Sequence, residues 1–153
     1  MSVSDLKVTT IADNLVLKPG LWGQWGLSYL IELNDSEGTP RKVLFDTAND
    51  KEPFLYNIEK LELNLSGLDA IILSHGHSDH TVATVEAVKM AGGCKVYAHP
   101  HCFHDRFYRS KEGKLSRGGV PEGQGIKEIE EAGGEVILTP DPVEVVPGLW
   151  TTG

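Results

Sequence analysis

The segment His-Gly-His-Ser-Asp-His, residues 75–80, places three imidazoles and one carboxylate within six residues. It follows the apolar run 70–74, which is typical of a buried strand. Imidazole nitrogen and carboxylate oxygen are the ligands that Zn²⁺ and its first-row neighbours accept. On an extended turn, His75 and His77 can face one ion, while the adjacent Asp79 and His80 can face a second ion. The spacing therefore predicts a metal site, and the alternative is a histidine-rich surface turn.

This pattern resembles the signature of the metallo-β-lactamase-fold hydrolases, in which a His-x-His-x-Asp-His motif follows a strand. That superfamily also has a strand that ends in Asp-Thr-Gly, and residues 42–48, Lys-Val-Leu-Phe-Asp-Thr-Ala, resemble it. Segments 25–32, 97–100 and 142–153 are similar to the branch named for 7,8-dihydropterin-6-methyl-4-(β-D-ribofuranosyl)aminobenzene 5'-phosphate synthase. That name is applied broadly, to many members of the branch. The resemblance therefore implies a metallohydrolase-like site more firmly than it implies a substrate.

The resemblance gives Asp46 a supporting role beside the metal. It implies a buried carboxylate that bonds the backbone or a ligand histidine and so fixes the metal turn. The alternative is a strand-end aspartate with no link to the metal. Ala48 stands where the superfamily has glycine. If this position needs a positive φ, alanine fits it less well, and we expect the loop geometry to differ locally.

The resemblance also implies metal-assisted hydrolysis, or a related transfer, of an ester, phosphoester or pterin-phosphate-like small molecule. His75 and His77 would hold the first metal, and Asp79 and His80 the second. Two metals would supply hydroxide at neutral pH. Asp79 would be the catalytic residue that orients this hydroxide and relays its proton. The expected cofactor is zinc, as two ions, with manganese or iron as alternatives because mixed nitrogen and oxygen ligands accept all three.

The implied fold is α/β with a mixed sheet, forming the N-terminal half of an αββα sandwich in a single incomplete domain, residues 1–153. The superfamily's third histidine of the first site, its bridging carboxylate and its last histidine lie further along the chain, and no histidine follows His104 here. We therefore expect weak metal binding by His75 and His77 alone. We also expect a bare apolar sheet face that a homodimer or larger assembly covers. The rival hypothesis is a truncated, non-catalytic metal-binding module that self-associates.

Other histidines and a basic stretch are weaker candidates. His99 ends a strand at the same edge of the sheet as the metal turn, so it either lines the site or is structural. His101 and His104 are more typical of a surface than of a metal site. Arg106 and Arg109, beside two aromatic residues, could bind an anionic, ring-bearing substrate, and the alternative is a solvated flexible loop.

Two tryptophans and two cysteines complete the candidates. Trp22 and Trp25 lie among glycines and either line a pocket mouth or pack in a core or interface. Cys94 and Cys102 are too few for a disulfide framework, and we interpret them as small buried side chains in a reducing compartment.

Hydrophobic periodicity predicts the elements that must position these residues. Strands are expected near 6–10, 27–33, 42–45, 68–73, 95–98, 135–138 and 143–146, with a further apolar run at 15–17. Helices are expected over 51–63, 81–90 and 126–132. The continuous run 68–73 indicates a strand buried on both faces that delivers the metal turn at its carboxyl end. The helix that follows this turn would favour a bound anion near its N-terminus.

Composition and charge exclude several classes of partner. The 153 residues are 40% hydrophobic and 24% charged, which is ordinary for a globular chain. A net charge of -8 and a pI near 5.2 argue against nucleic acid and against an anionic membrane, because both demand clustered positive charge. The N-terminus lacks the basic and apolar regions of a signal peptide, and no apolar run could span a bilayer. A cytoplasmic location is therefore expected.

Overall fold

The computed structural model describes residues 3–153 and consists of ten strands, four α-helices and one short 3₁₀ helix. The strands are β1 (Ser4–Ala12), β2 (Ser28–Asn34), β3 (Pro40–Phe45), β4 (Ala70–Leu73), β5 (Lys95–Ala98), β6 (Phe107–Arg109), β7 (Leu115–Arg117), β8 (Glu135–Leu138), β9 (Glu144–Val146) and β10 (Leu149–Trp150). The α-helices are α1 (Lys51–Lys60), α2 (Ser78–Thr81), α3 (Thr84–Ala91) and α4 (Ile126–Glu131), and the 3₁₀ helix is Pro100–Phe103.

Six strands form one mixed sheet in the order β1-β2-β3-β4-β5-β8. The first three strands pair antiparallel, and β3, β4, β5 and β8 pair parallel. Helices in the connections between the parallel strands bring each strand back to the same end of the sheet. The carboxyl ends of β3, β4 and β5 therefore lie side by side, and they are followed by Asp46, Ser74 and His99. This edge of the sheet positions the candidate site, and the predicted mixed α/β fold class is confirmed.

Alternation along the strands divides the apolar residues between two faces. Leu44, Ile71 and Val96 pack in the larger cluster with residues of α1, α3 and α4. Helix α1 begins at the N-cap Asp50, whose side chain accepts a hydrogen bond from the Glu52 amide at 3.1 Å. It fully buries Phe54, and this burial stabilises the fold by about 2–3 kcal/mol.

The other face of the sheet is partly covered, where the sequence predicted a bare face. Val43, Ile72 and Tyr97 form a second cluster on this face with Val146 of β9. The hairpin β9–β10 lies over one part of the face, and a cavity of about 440 Å³ remains between the sheet and residues 149–153.

Three local predictions differ from the structure. The apolar run 15–17 forms no strand, and Leu15 and Leu17 are exposed. The basic stretch forms an antiparallel hairpin of β6 and β7 and is not an irregular loop. The expected helix 81–90 is divided into α2 and α3, because the Ala83 amide donates to the Thr47 carbonyl at 3.3 Å and leaves the helical pattern. The helix that directly follows the metal turn, α2, is a single turn of four residues, shorter than the sequence predicted.

Within residues 3–153, none of the helices is both long and apolar enough to cross a bilayer.

Candidate metal centre

The carboxylate of Asp46 is the hub of the candidate site. Its side chain is fully buried. One oxygen accepts a hydrogen bond from the Ser74 amide at 2.7 Å, and the other accepts from the Ser74 hydroxyl and from Nδ1 of His80, both at 2.7 Å. Because a carboxylate only accepts hydrogen bonds, Nδ1 of His80 carries its proton, and the lone pair of His80 lies on Nε2. This is the arrangement that orients a metal-ligating histidine.

Ser74 extends the effect of Asp46 to a second histidine. The Ser74 hydroxyl uses its proton on Asp46, so it accepts from Nδ1 of His75 at 2.9 Å. His75 therefore also has its lone pair on Nε2. One buried carboxylate sets the tautomers of both His75 and His80, directly in one case and through a hydroxyl in the other.

His75 and His77 form the first donor pair. Nε2 of His75 and Nδ1 of His77 are 3.0 Å apart, with the two rings edge to face. A tetrahedral zinc ion with bonds of 2.0–2.1 Å places two ligand nitrogens about 3.3 Å apart. The observed separation is a few tenths of an ångström shorter, so small ring movements would let both nitrogens reach one ion.

Asp79 and His80 form the second donor pair. The Asp79 carboxylate oxygen and Nε2 of His80 are 3.5 Å apart, and both side chains are about one-fifth exposed. The same tetrahedral estimate of about 3.3 Å applies to this oxygen and nitrogen. The ring of His80 lies 4.2 Å from the ring of His75, so the two pairs are neighbours.

The four predicted ligands thus come together as two pairs and not as a complete site. Across the part of the chain that the structure describes, His, Cys, Asp and Glu side chains form no group of three or more that could hold a metal ion. The chemistry and spacing of each pair fit two positions of a coordination shell. Each shell would need further ligands, from water or from other protein groups.

The protonation of His75 suits a ligand. Burial lowers the pKa of His75 below its usual value of 6.5, and the nearby His80 and His77 lower it further, against the opposing effect of Asp46 and Asp79. His75 is therefore neutral at pH 7. Neutral imidazole is the form that binds a metal.

The loop after β3 holds the metal turn in place. The Thr47 amide donates to the His80 carbonyl at 2.8 Å, and the Ala48 amide donates to the Leu27 carbonyl at 3.0 Å. Asp46 and Ala48 have φ values of 56° and 62°, in the left-handed region. Ala48 therefore occupies a position that favours glycine, as the sequence comparison with the Asp-Thr-Gly motif suggested.

Glycine at position 76 is required by a close approach of backbone. A Cβ atom at Gly76 would lie 1.7 Å from the carbonyl oxygen of Cys102, which belongs to the 3₁₀ helix after β5. The metal turn is thus held from two sides, by the loop 46–48 and by residues 100–103.

The weaker candidates lie in different places. His99 lines the cavity on the sheet face, and its Nδ1 accepts a hydrogen bond from the His101 amide at 3.0 Å. Arg106 lines a separate cleft beside His77 and Asp79, whereas Arg109 is exposed on the hairpin and does not line it. The structure therefore brings Arg106 to the cleft beside the metal turn, whereas His99 lines the sheet-face cavity together with Ser74, and Arg109 lines neither.

Sequence reasoning did not single out Ser74, and it left Trp25 open between a pocket and packing. Ser74 ends an apolar strand, and only the three-dimensional contact with Asp46 reveals its role. Trp22 stacks on Tyr56 at 4.6 Å, whereas Trp25 is 70% exposed in the cleft beside Asp79.

Similarity to known proteins agrees with this geometry. The chain is 36% identical, over 99% of its length, to the 7,8-dihydropterin-6-methyl-4-(beta-D-ribofuranosyl)-aminobenzene-5'-phosphate synthase of Methanocaldococcus jannaschii, and spans about half (51%) of that curated relative. A solved N-acyl homoserine lactone lactonase is 16% identical and superposes with a TM-score of 0.51 over 99% of this chain and 63% of the lactonase. Residues 25–152 match the family described as the metallo-beta-lactamase superfamily. This chain therefore belongs to the metallo-β-lactamase superfamily, whose fold implies metal binding in general.

Proposed function

We propose that this chain carries the metal-binding turn of a metal-dependent hydrolase that acts on a small ester or phosphoester. The observation that supports the proposal is the control of one histidine in each donor pair by the buried carboxylate of Asp46. Asp46 sets the tautomer of His80 directly and that of His75 through Ser74. A surface turn without function would not need a buried charge with three hydrogen bonds, because burying an ionised group is costly.

In this proposal the two pairs divide the metal ligands between them. His75 and His77 would hold one ion, and Asp79 and His80 the other, with zinc preferred and manganese or iron as alternatives. Bound metal would lower the pKa of water to about 7 and polarise the bond under attack.

The residues of this chain would then position substrate and move protons. The Asp79 carboxylate is partly exposed toward the cleft and can accept a proton from the attacking water. Asp46 keeps His80 in one tautomer during turnover, so that its Nε2 lone pair stays available. The name of the Methanocaldococcus jannaschii relative makes a pterin-phosphate-like compound the specific substrate to test.

The second candidate function is a non-catalytic metal-binding module that self-associates. The small number of donors favours this function, because each pair has two protein ligands and two protein ligands hold a metal weakly. The cavity of about 440 Å³ on the partly covered sheet face also favours it, since a second copy could contribute side chains there.

Metal content and mass distinguish the two functions. We would measure metal by elemental analysis together with mass by light scattering. Near two metals per chain with hydrolysis of p-nitrophenyl acetate or bis(p-nitrophenyl) phosphate supports the hydrolase. Metal bound by an assembled chain without hydrolysis of either compound supports the module.

Variants connect any activity to the site. His77→Ala and Asp79→Ala should each abolish hydrolysis, since each removes one donor of a pair. His101→Ala is the matched control, because this exposed histidine lies outside both pairs. Full activity in both site variants would contradict the proposed site.

A further inference from the structure

A cleft of about 630 Å³ lies beside the metal turn. His77 and Asp79 line one side of it, and Trp25, Phe107 and Tyr108 contribute aromatic side chains. The cleft is large enough for a small organic molecule, and one donor of each pair, His77 and Asp79, borders it.

The aromatic side chains in this cleft are exposed. Trp25, Phe107 and Tyr108 are 70%, 64% and 61% exposed, whereas large aromatic residues usually bury most of their surface. They come from two separate segments, the loop before β2 and the hairpin β6–β7. Exposed apolar side chains gathered from distant segments around a cleft mark a binding site more often than chance surface.

Two glycines fix this cleft against the metal turn. A Cβ atom at Gly26 would lie 1.9 Å from the carbonyl oxygen of Asp79, so the backbone next to Trp25 touches the turn. A Cβ atom at Gly118 would lie 2.6 Å from the Tyr108 ring, so that ring lies on the bare backbone directly after β7. The backbone beside Trp25 is thus held against the turn that carries the metal donors, and the Tyr108 ring is held against Gly118.

Among the residues that line the cleft, Arg106 is a cation and Asp79 is a carboxylate, whereas the whole chain carries -8. Arg106 lines the cleft, and one of its nitrogens donates to the His101 carbonyl at 3.0 Å, which anchors the guanidinium. Residues 106–117 contain five Lys and Arg residues and one acid, Glu112. Arg117 is paired with Asp105 at 2.8 Å. An anionic group is therefore the ligand charge that Arg106 favours in this cleft.

We propose that this cleft binds a planar aromatic anion, with its ring on Trp25 and Tyr108 and its anionic group toward Arg106. Aromatic side chains bind flat rings through stacking, which depends little on the identity of the ring. The ring recognition is independent of any reaction. The inference that the ring-bearing molecule is the substrate rests on the proposed function, because it places the scissile group at His77 and Asp79.

Three probes test the proposal without turnover. The chain, treated with EDTA, is titrated by calorimetry with 2-naphthoate, with cyclohexanecarboxylate and with 2-naphthalenemethanol. We expect 2-naphthoate to bind at least tenfold more tightly than cyclohexanecarboxylate, which has the charge without the aromatic ring. It should also bind more tightly than 2-naphthalenemethanol, which has the ring without the charge.

Variants locate the binding. Trp25→Leu and Tyr108→Leu should each weaken 2-naphthoate about five- to tenfold, and Trp25→Phe should restore most of the affinity. Arg106→Gln should weaken 2-naphthoate and leave 2-naphthalenemethanol unchanged. Trp150→Leu is the control, because Trp150 is 58% exposed and lines the cavity on the sheet face instead.

Two results would overturn the proposal: equal affinities for 2-naphthoate and cyclohexanecarboxylate, or an equal loss in Trp150→Leu and Trp25→Leu. Thermal melting of each variant separates lost binding from lost folding, and the Trp25→Phe result decides if Trp25→Leu unfolds. Ring selectivity without hydrolysis by the metal-loaded chain would refute the proposed function alone. Hydrolysis with no ring selectivity would refute the cleft alone.

Discussion

Replacing Asp46 with asparagine should change the tautomers of two histidines at once. Asparagine has the same shape, and its oxygen can still accept from the Ser74 amide. Its NH₂ group, however, would face the Ser74 hydroxyl and Nδ1 of His80, which both donate to the carboxylate at 2.7 Å. Both partners must then become acceptors. The proton of His80 moves to Nε2, and Ser74 turns its proton to His75, whose own proton also moves to Nε2.

The expected magnitudes follow from these contacts. Two charge-assisted hydrogen bonds are lost and two neutral ones replace them, so the free energy of unfolding should fall by about 2–3 kcal/mol. With protons on Nε2, both histidines lose the lone pair that faces the neighbouring donor. Metal affinity should fall about 10- to 100-fold, as for other losses of a carboxylate that orients a histidine ligand.

Nitrogen-15 NMR of the metal-free chain gives a direct assay, because protonated and bare ring nitrogens have distinct chemical shifts. The wild type should show His75 and His80 protonated on Nδ1. Asp46→Asn should show both protonated on Nε2, and Ser74→Ala should change His75 only. Zinc affinity would be measured by competition with a chromophoric chelator. Unchanged tautomers together with unchanged zinc affinity in Asp46→Asn would refute the idea that Asp46 sets the site.

Three further predictions concern the rest of the structure. Gly76→Ala should lower the free energy of unfolding by about 2–3 kcal/mol in urea denaturation, because the added Cβ would lie 1.7 Å from a carbonyl oxygen. The control Gly119→Ala should change the free energy of unfolding little, because the nearest atoms lie 3.4 Å from its Cβ. Burial raises the pKa of Glu86, but hydrogen bonds from Lys51 and Gln124 outweigh this effect and hold the pKa below its usual 4.5. The stability that the Glu86 carboxylate contributes above pH 4.5 should therefore be lost as the pH falls below 4.5, and Glu86→Gln should flatten this acid dependence in thermal melts. Burial raises the pKa of the Cys94 thiol to about 11, so its reaction with a disulfide reagent at pH 8 should be far slower than that of a free thiol, and rapid labelling of the folded chain would contradict this.

The sequence predicted those elements whose pattern is local. Strand β4 is buried along its whole length, as its unbroken apolar run indicated. Helix α1 has Pro53 in its first turn and buries Phe54 and Ile58, in agreement with their helical spacing. These elements depend on side-chain periodicity within one segment, so the order of residues alone specifies them.

Features that depend on contacts between segments could not be predicted. The break between α2 and α3 comes from hydrogen bonds to the carbonyls of Thr47 and Ala48, which belong to another loop. The role of Ser74 depends on the direction of a single hydroxyl proton. The cleft joins Trp25 to Tyr108, and no periodicity links the two residues. Motif resemblance indicated Asp46 and the four donors, but it did not indicate how one carboxylate orients two of them.

The hydrogen-bond network that orients the histidines is complete, whereas the metal coordination shells are not. This difference decides which measurement separates the two proposed functions. Asp46 and Ser74 form a closed hydrogen-bond network around His75 and His80, with each polar group paired. Each donor pair, in contrast, offers only two ligand atoms among residues 3–153. Burying a charge costs stability even when hydrogen bonds compensate it, and this cost fits a network that is retained for the histidines it orients. The hydrolase and the module therefore share the orienting network, and they differ in what fills the remaining positions of each shell. Metal affinity as a function of assembly state is the quantity that separates them.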